Sequence, residues 1–128
     1  MPAKKSSVQT KRQFRIKRAY APAEDGDGLR VLVDRLGPRG ISKAKARIDL
    51  WLKDVAPSDA LRRRVHAGKS TWDDFVAAYG RELDEEPARS AAATLRTHLR
   101  DGPVTLLFAA RDEERNNAVA LKHWLERK

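Results

Sequence analysis

The run Val104 to Ala110, broken only by Thr105, is the longest apolar stretch in the chain, and Arg111, Asp112, Glu113 and Glu114 follow it at once. So short a run cannot cross a bilayer, which takes about 20 residues. It reads as the last and best strand of the chain. Leu29 to Leu36 reads as another, its continuous apolar, β-branched run suited to burial on both faces. Its Val31-Leu32-Val33 core ends abruptly in Asp34 and Arg35, then in Gly37-Pro38-Arg39-Gly40.

The remaining segments fill in around these two strands. Phe14 to Tyr20 alternates apolar and basic residues as a strand does, and the Pro, Asp and Gly residues of Ala21 to Gly28 close it. Ser42 can cap a short helix over Lys43 to Arg47. Ile48 to Val55 fits two patterns: Ile48, Trp51, Leu52 and Val55 sit at helical spacing, while Ile48, Leu50 and Leu52 alternate. The strand is preferred because Ala56-Pro57 and a fresh helix cap, Ser58, follow. The Ser58 helix runs to about Val65 and stops at Gly68. Thr71 caps the next, with Asp73 and Asp74 in its first turn and Trp72, Phe75, Val76 and Tyr79 as its apolar stripe. Pro87 suits the first position of a third helix, whose face continues through Leu95 and Leu99 to Asp101-Gly102-Pro103. Asp112, Glu113 and Glu114 mark the start of a last helix with Ala118, Leu121 and Leu125 on its buried side. The predicted order is β-β-α-β-α-α-α-β-α, an α/β fold with a small, mainly parallel sheet of about four strands flanked by helices. No internal repeat or linker divides residues 14–128, which read as one domain.

The chain has 128 residues and a formal net charge of +9. Seven basic residues and no acid lie in residues 1–18, leaving 20 basic against 18 acidic residues elsewhere. The charge is therefore mostly that of the first 18 residues, and four of the seven basic residues lie in an N-terminal arm, residues 1–13, of low hydrophobicity and little periodicity, which is expected to be disordered. Such an arm can attract nucleic acid non-specifically. No apolar stretch follows Lys4 and Lys5, so neither a secretory leader nor a membrane association is expected, and a cytoplasmic location is. There is no cysteine, hence no disulfide, thiolate metal site or cysteine nucleophile. His66, His98 and His123 stand at no metal-ligand spacing, and neither a Walker loop nor a dinucleotide glycine pattern occurs. No metal or dinucleotide cofactor is implied, and the cofactor question stays open.

In open α/β sheets, ligands bind beyond the carboxyl ends of the strands. Four such ends carry polar residues here: Arg18 and Tyr20; Asp34, Arg35 and Arg39; Lys53 and Ser58; and Arg111, Asp112 and Asn116. If the strands are parallel neighbours, these meet on one rim. Guanidinium forks match phosphate and carboxylate, so the candidate ligand-binding residues are Arg18, Arg35, Arg39, Lys53, Ser58, Arg111, Asp112 and Asn116. Asp34 is the candidate acid, base or nucleophile; burial would raise its pKa and Arg35 would lower it. The competing reading has Asp34, Arg35, Arg111 and Asp112 pairing with one another. Ser58 reads first as a helix cap, Gly37–Gly40 as a tight turn, and Trp51, Trp72 and Trp124 as packing residues.

These segments carry a resemblance. Phe14 to Tyr20, Val31 to Gly40, Asp49 to Ser58 with Leu61 and Arg62, and Thr105 to Asp112 with Asn116 together resemble the YeaO-like branch of the family of domains of unknown function numbered 488 (DUF488). The likeness runs from about Phe14 to Glu126. It implies a compact α/β fold with polar motifs at the strand ends and no established activity. The sequence departs from the family pattern at three places. Gly37 stands where Trp is usual, Asn117 where His is usual, and Phe108 where the broader family often has Cys. Were that Trp and His part of the family's site, its activity would be altered or lost here.

Three functions are compatible with these residues: a pocket for a small anionic or phosphorylated ligand, with or without catalysis; a nucleic-acid- or partner-binding module using the basic arm; and a structural domain whose rim is closed by salt bridges. In the first, Arg35→Ala abolishes ligand-induced stabilisation without unfolding the protein.

Overall fold

The computed structural model describes residues 13–127. The expected arm lies, up to residue 12, outside them. The strands are β1 (Phe14–Arg18), β2 (Leu29–Leu32), β3 (Leu50–Trp51) and β4 (Val104–Phe108). The helices are α1 (Lys43–Ala46), α2 (Asp59–His66), α3 (Trp72–Leu83), α4 (Ala88–Asp101) and α5 (Asn117–Glu126). All pairings are parallel, in the order β1-β4-β2-β3. The α/β fold and the order of its elements are those the sequence predicts.

The most apolar strand sits in the middle. Leu106 is in register with Ile16 on one side and Val31 on the other, and every residue of β4 is buried. One face of the sheet (Phe14, Val31, Val33, Leu106 and Phe108) packs against Leu61 of α2, Phe75, Tyr79 and Leu83 of α3, Ala92 and Leu95 of α4 and Leu121 of α5. The opposite face is thinner, with Ala19, Leu32 and Leu107 under Ile48 and Trp51.

That thinner face also holds charge. Arg30 and Asp27 are both buried, and Arg30 Nη1 donates to Asp27 Oδ2 at 2.7 Å. The other guanidinium donors reach the carbonyls of Ala46, Arg47 and Ala21, tying β2 to the end of α1 and to the loop after β1. Lys17 Nζ donates to Asp27 and Glu24, and Thr105 Oγ1 to the Asp27 carbonyl at 2.8 Å. Burial pushes the Asp27 carboxyl up, but bonds from the Glu24 N–H, Lys17 and Arg30 outweigh it and hold the group below its ordinary value.

Local signals act mostly as read. Ser42, Ser58 and Thr71 accept from the N–H groups of Lys45, Leu61 and Asp74 as N-caps. Three readings need correction. The strand expected over Ile48–Val55 is confined to Leu50–Trp51, because pairing with β2 ends as Leu52 N donates to Leu32 O, and Lys53–Val55 then form a 3-10 turn. Pro87 occupies the cap position before α4 rather than its first turn. The acids after β4 do not open the last helix. Asp112 Oδ1 instead accepts from Glu114 N and Arg115 N, closing a turn, and α5 starts at Asn117 with Asn116 as cap.

Candidate functional site

The carboxyl ends of β1, β2 and β4 open into a groove of about 930 Å³, whose far walls are α2 and the start of α3. Asp34 and Arg111 both line it, as do Arg18, Arg35, Arg39 and Asn116. Lys53, Ser58 and Asp112 do not. Lys53 Nζ lies over the Trp51 ring, 4.2 Å from its centroid. Ser58 is bound to Glu82 through both Oγ and N, and Asp112 is taken up by its turn.

Asp34 leaves the sheet where β2 stops pairing. Its Oδ2 accepts from Ala109 N at 2.9 Å, and its Oδ1 from Asn117 Nδ2 at 3.0 Å. Asn117 also donates to Val33 O, so the start of α5 is pinned to the end of β2. Burial raises the Asp34 pKa, and the bonds from Asn117 and Ala109 only partly oppose it. Arg35, expected to lower that pKa, points elsewhere. Its Nε and Nη2 donate to Pro57 O and Ala56 O at 3.3 Å, and Asp59 lies 4.0 Å away. The expected mutual pairing of Asp34, Arg35, Arg111 and Asp112 does not form.

The arginines fall into two groups. Arg18 donates to Ala109 O and Ala110 O at 3.0 Å, and its guanidinium lies 4.9 Å from the Tyr20 ring centroid. Tyr20 Oη in turn donates to Arg39 O at 2.9 Å, fastening the Gly37–Gly40 loop to the end of β1. Arg18 and Arg35 thus hold the rim together. Arg39, Arg111 and Arg115 are exposed on it, and among the described residues none forms a salt bridge. With Arg62 the lining holds six arginines, and Asp34 is its sole carboxylate.

Sequence reasoning missed Arg115, Arg62, His66 and Trp72 as lining residues, and named Asn117 only as a departure from a family pattern. Arg62, Val65 and His66 share one face of α2 by helical spacing. Finding them needed the position of that helix against the rim. Among the described residues no cluster of His, Asp and Glu could hold a metal ion, and no helix is long and apolar enough to cross a membrane.

The family model of the inactive DUF488-N3 subclade matches residues 13–128. The protein YeaO of Escherichia coli (strain K12) is 38% identical over 112 residues, covering 88% of this chain and 96% of YeaO. The chain belongs to the YeaO-like branch of the DUF488 family. The protein Rv3073c of Mycobacterium tuberculosis (strain ATCC 25618 / H37Rv) is 39% identical over 113 residues, covering 88% of this chain and 93% of its own. Both of these YeaO-like relatives are described as uncharacterized. No solved structure matches the chain. Gly37 and Asn117, two of the three positions at which the sequence resemblance leads one to expect a departure from the family pattern, line the groove. The third, Phe108, is buried at the end of β4.

Proposed function

We propose that this YeaO-like protein is a binding protein for a small anionic or phosphorylated ligand, held in the groove without being chemically transformed. The observation that carries this reading is the imbalance of charge in the lining: six arginines face one carboxylate, and among the described residues four of the arginines form no salt bridge, of which Arg18 is bonded to backbone carbonyls and Arg39, Arg111 and Arg115 are exposed. Guanidinium groups left free on a concave surface suit phosphate or carboxylate oxygens. Asp34 accepts from Ala109 N and Asn117 Nδ2, which gives this carboxylate a structural role in joining the ends of β2 and β4 to the start of α5. The Asn117 amide beside it has no titratable proton to exchange. The family description "inactive" agrees with that chemistry.

The test is calorimetric titration with inorganic phosphate and pyrophosphate at low salt. Binding is expected for the native protein. Arg111→Glu and Arg115→Glu, singly, should weaken it at least tenfold while leaving the circular dichroism spectrum unchanged. Absence of binding by the folded native protein overturns the reading.

A second reading rests on the seven basic residues and no acid in residues 1–18. In it the arm adds a salt-sensitive, sequence-independent contact to nucleic acid. Deleting residues 1–13 should then abolish retention on single- or double-stranded DNA at low salt, and a full-length chain that is not retained ends this reading.

A further inference from the structure

The large apolar side chains most exposed among the described residues are Leu36 at 61%, Val65 at 42% and Tyr20 at 37%. Isolated exposed apolar residues are ordinary on protein surfaces. These three are not scattered. They come from the loop after β2, from α2 and from the end of β1, and all three line the same groove as the arginines. Trp72, half-buried and stacked on Phe75 with ring centroids 5.7 Å apart, continues the apolar wall at the start of α3.

A site for inorganic phosphate or a sugar phosphate needs donors throughout, because the body of such a ligand is polar and loses water on binding. This groove instead sets free guanidinium groups beside uncovered hydrocarbon. Resting on the anion-binding reading above, we infer that the ligand is a phosphate monoester with a hydrophobic, ring-bearing body. Its phosphate engages Arg39, Arg111 and Arg115, and its ring covers Leu36, Val65 and Trp72. Burial of that hydrocarbon provides an attraction that the charged head alone lacks. The lining is open enough that the ring needs no rearrangement of the core to enter, since Leu36 and Val65 already stand in solvent.

The test compares two probes with the same head, 1-naphthyl phosphate and glycerol 1-phosphate, with 1-naphthol as the uncharged control, by calorimetric titration. The expected result is at least tenfold tighter binding of 1-naphthyl phosphate than of glycerol 1-phosphate, with 1-naphthol weaker than its phosphate. Leu36→Ser and Val65→Ser, both at exposed positions, should weaken the naphthyl ester severalfold and leave glycerol 1-phosphate unchanged. Equal binding of the two esters overturns this inference while leaving the anion site intact. Equal binding of 1-naphthol and its phosphate overturns it from the other side. Failure of both esters to bind the folded protein removes the anion-binding reading itself, and this inference with it.

Discussion

Asn117 donates its side-chain amide to Asp34 Oδ1 at 3.0 Å, across 83 positions of sequence, while the main-chain N–H of Ala109 closes the other carboxylate oxygen at 2.9 Å. One aspartate thereby joins the end of β2, the end of β4 and the start of α5. Asp34→Ala leaves the Ala109 N–H and the Asn117 amide without this acceptor in a partly closed setting. An unsatisfied group of that kind costs about 1–3 kcal/mol. Urea denaturation should show a loss in that range with an unchanged m-value.

The same carboxyl and the buried one at Asp27 should respond to acid in opposite directions. Asp34 has its pKa raised from 3.8, so the folded protein holds this proton more tightly than the unfolded chain does. Its contribution to stability is greatest below 3.8 and declines as pH rises through the raised value. Asp27 has its pKa lowered from 3.8, so its contribution is present above 3.8 and is lost as pH falls through the depressed value. Stability measured against pH for Asp34→Asn and Asp27→Asn, each subtracted from the native curve, should give differences that slope oppositely across the acid range. Parallel slopes would contradict the assignment. At neutral pH, Asp27→Asn also strands the buried Arg30 charge, at a cost of about 3–5 kcal/mol.

The rim arginines should separate by experiment. Arg35 is bonded to the Ala56 and Pro57 carbonyls, so Arg35→Ala should lower stability by about 1 kcal/mol even without any ligand. Arg111 has no such partner, and Arg111→Ala should leave the denaturation midpoint where it was while weakening phosphate binding. A midpoint that moves equally in both variants would show that Arg111 is structural as well.

Gly28 enters β2 at φ 64°, and a Cβ there would stand 2.1 Å from the Pro103 carbonyl oxygen. That oxygen accepts the Leu29 N–H at 3.0 Å, at the edge of the pairing between β2 and β4. Gly28→Ala meets a backbone atom that no rotamer change can move. With ψ at −134°, this positive-φ backbone is one that a residue with a Cβ rarely adopts, at a cost of about 1–3 kcal/mol, and the collision adds to it. A fall in denaturation midpoint larger than that of Asp34→Ala is expected.

Much of this architecture could be read from residue patterns, because the informative signals were local. Val31–Val33 and Val104–Ala110 announce buried parallel strands, and Ser42, Ser58 and Thr71 each cap the helix that follows. Ile48–Val55 was ambiguous because its length is set by the place where β2 stops offering partners. The acids at 112–114 looked like a helix start, and Asp112 uses the same oxygen chemistry to close a turn instead. The burial of Arg30 follows from carbonyls at positions 21, 46 and 47 closing over it, which local patterns do not report. At the groove, the convergence of Arg18, Asp34, Arg35, Arg39 and Arg111 followed from one rule about strand ends. Which of those arginines are occupied by carbonyls was decided by loop geometry, and the apolar half of the lining came from α2 and α3, whose docking the pattern left open.

The placement of β4 between β1 and β2 has a consequence for biosynthesis. The two N-terminal strands are not paired with each other; β2 can pair with β3, but β1 and the other edge of β2 wait for a strand that the ribosome delivers after residue 103. Through most of translation the nascent polypeptide therefore carries two unzipped β edges, and the sheet can be completed only in a late, concerted step. Fragments released before that point lack the central plank, and their exposed apolar surface and open strand edges favour aggregation.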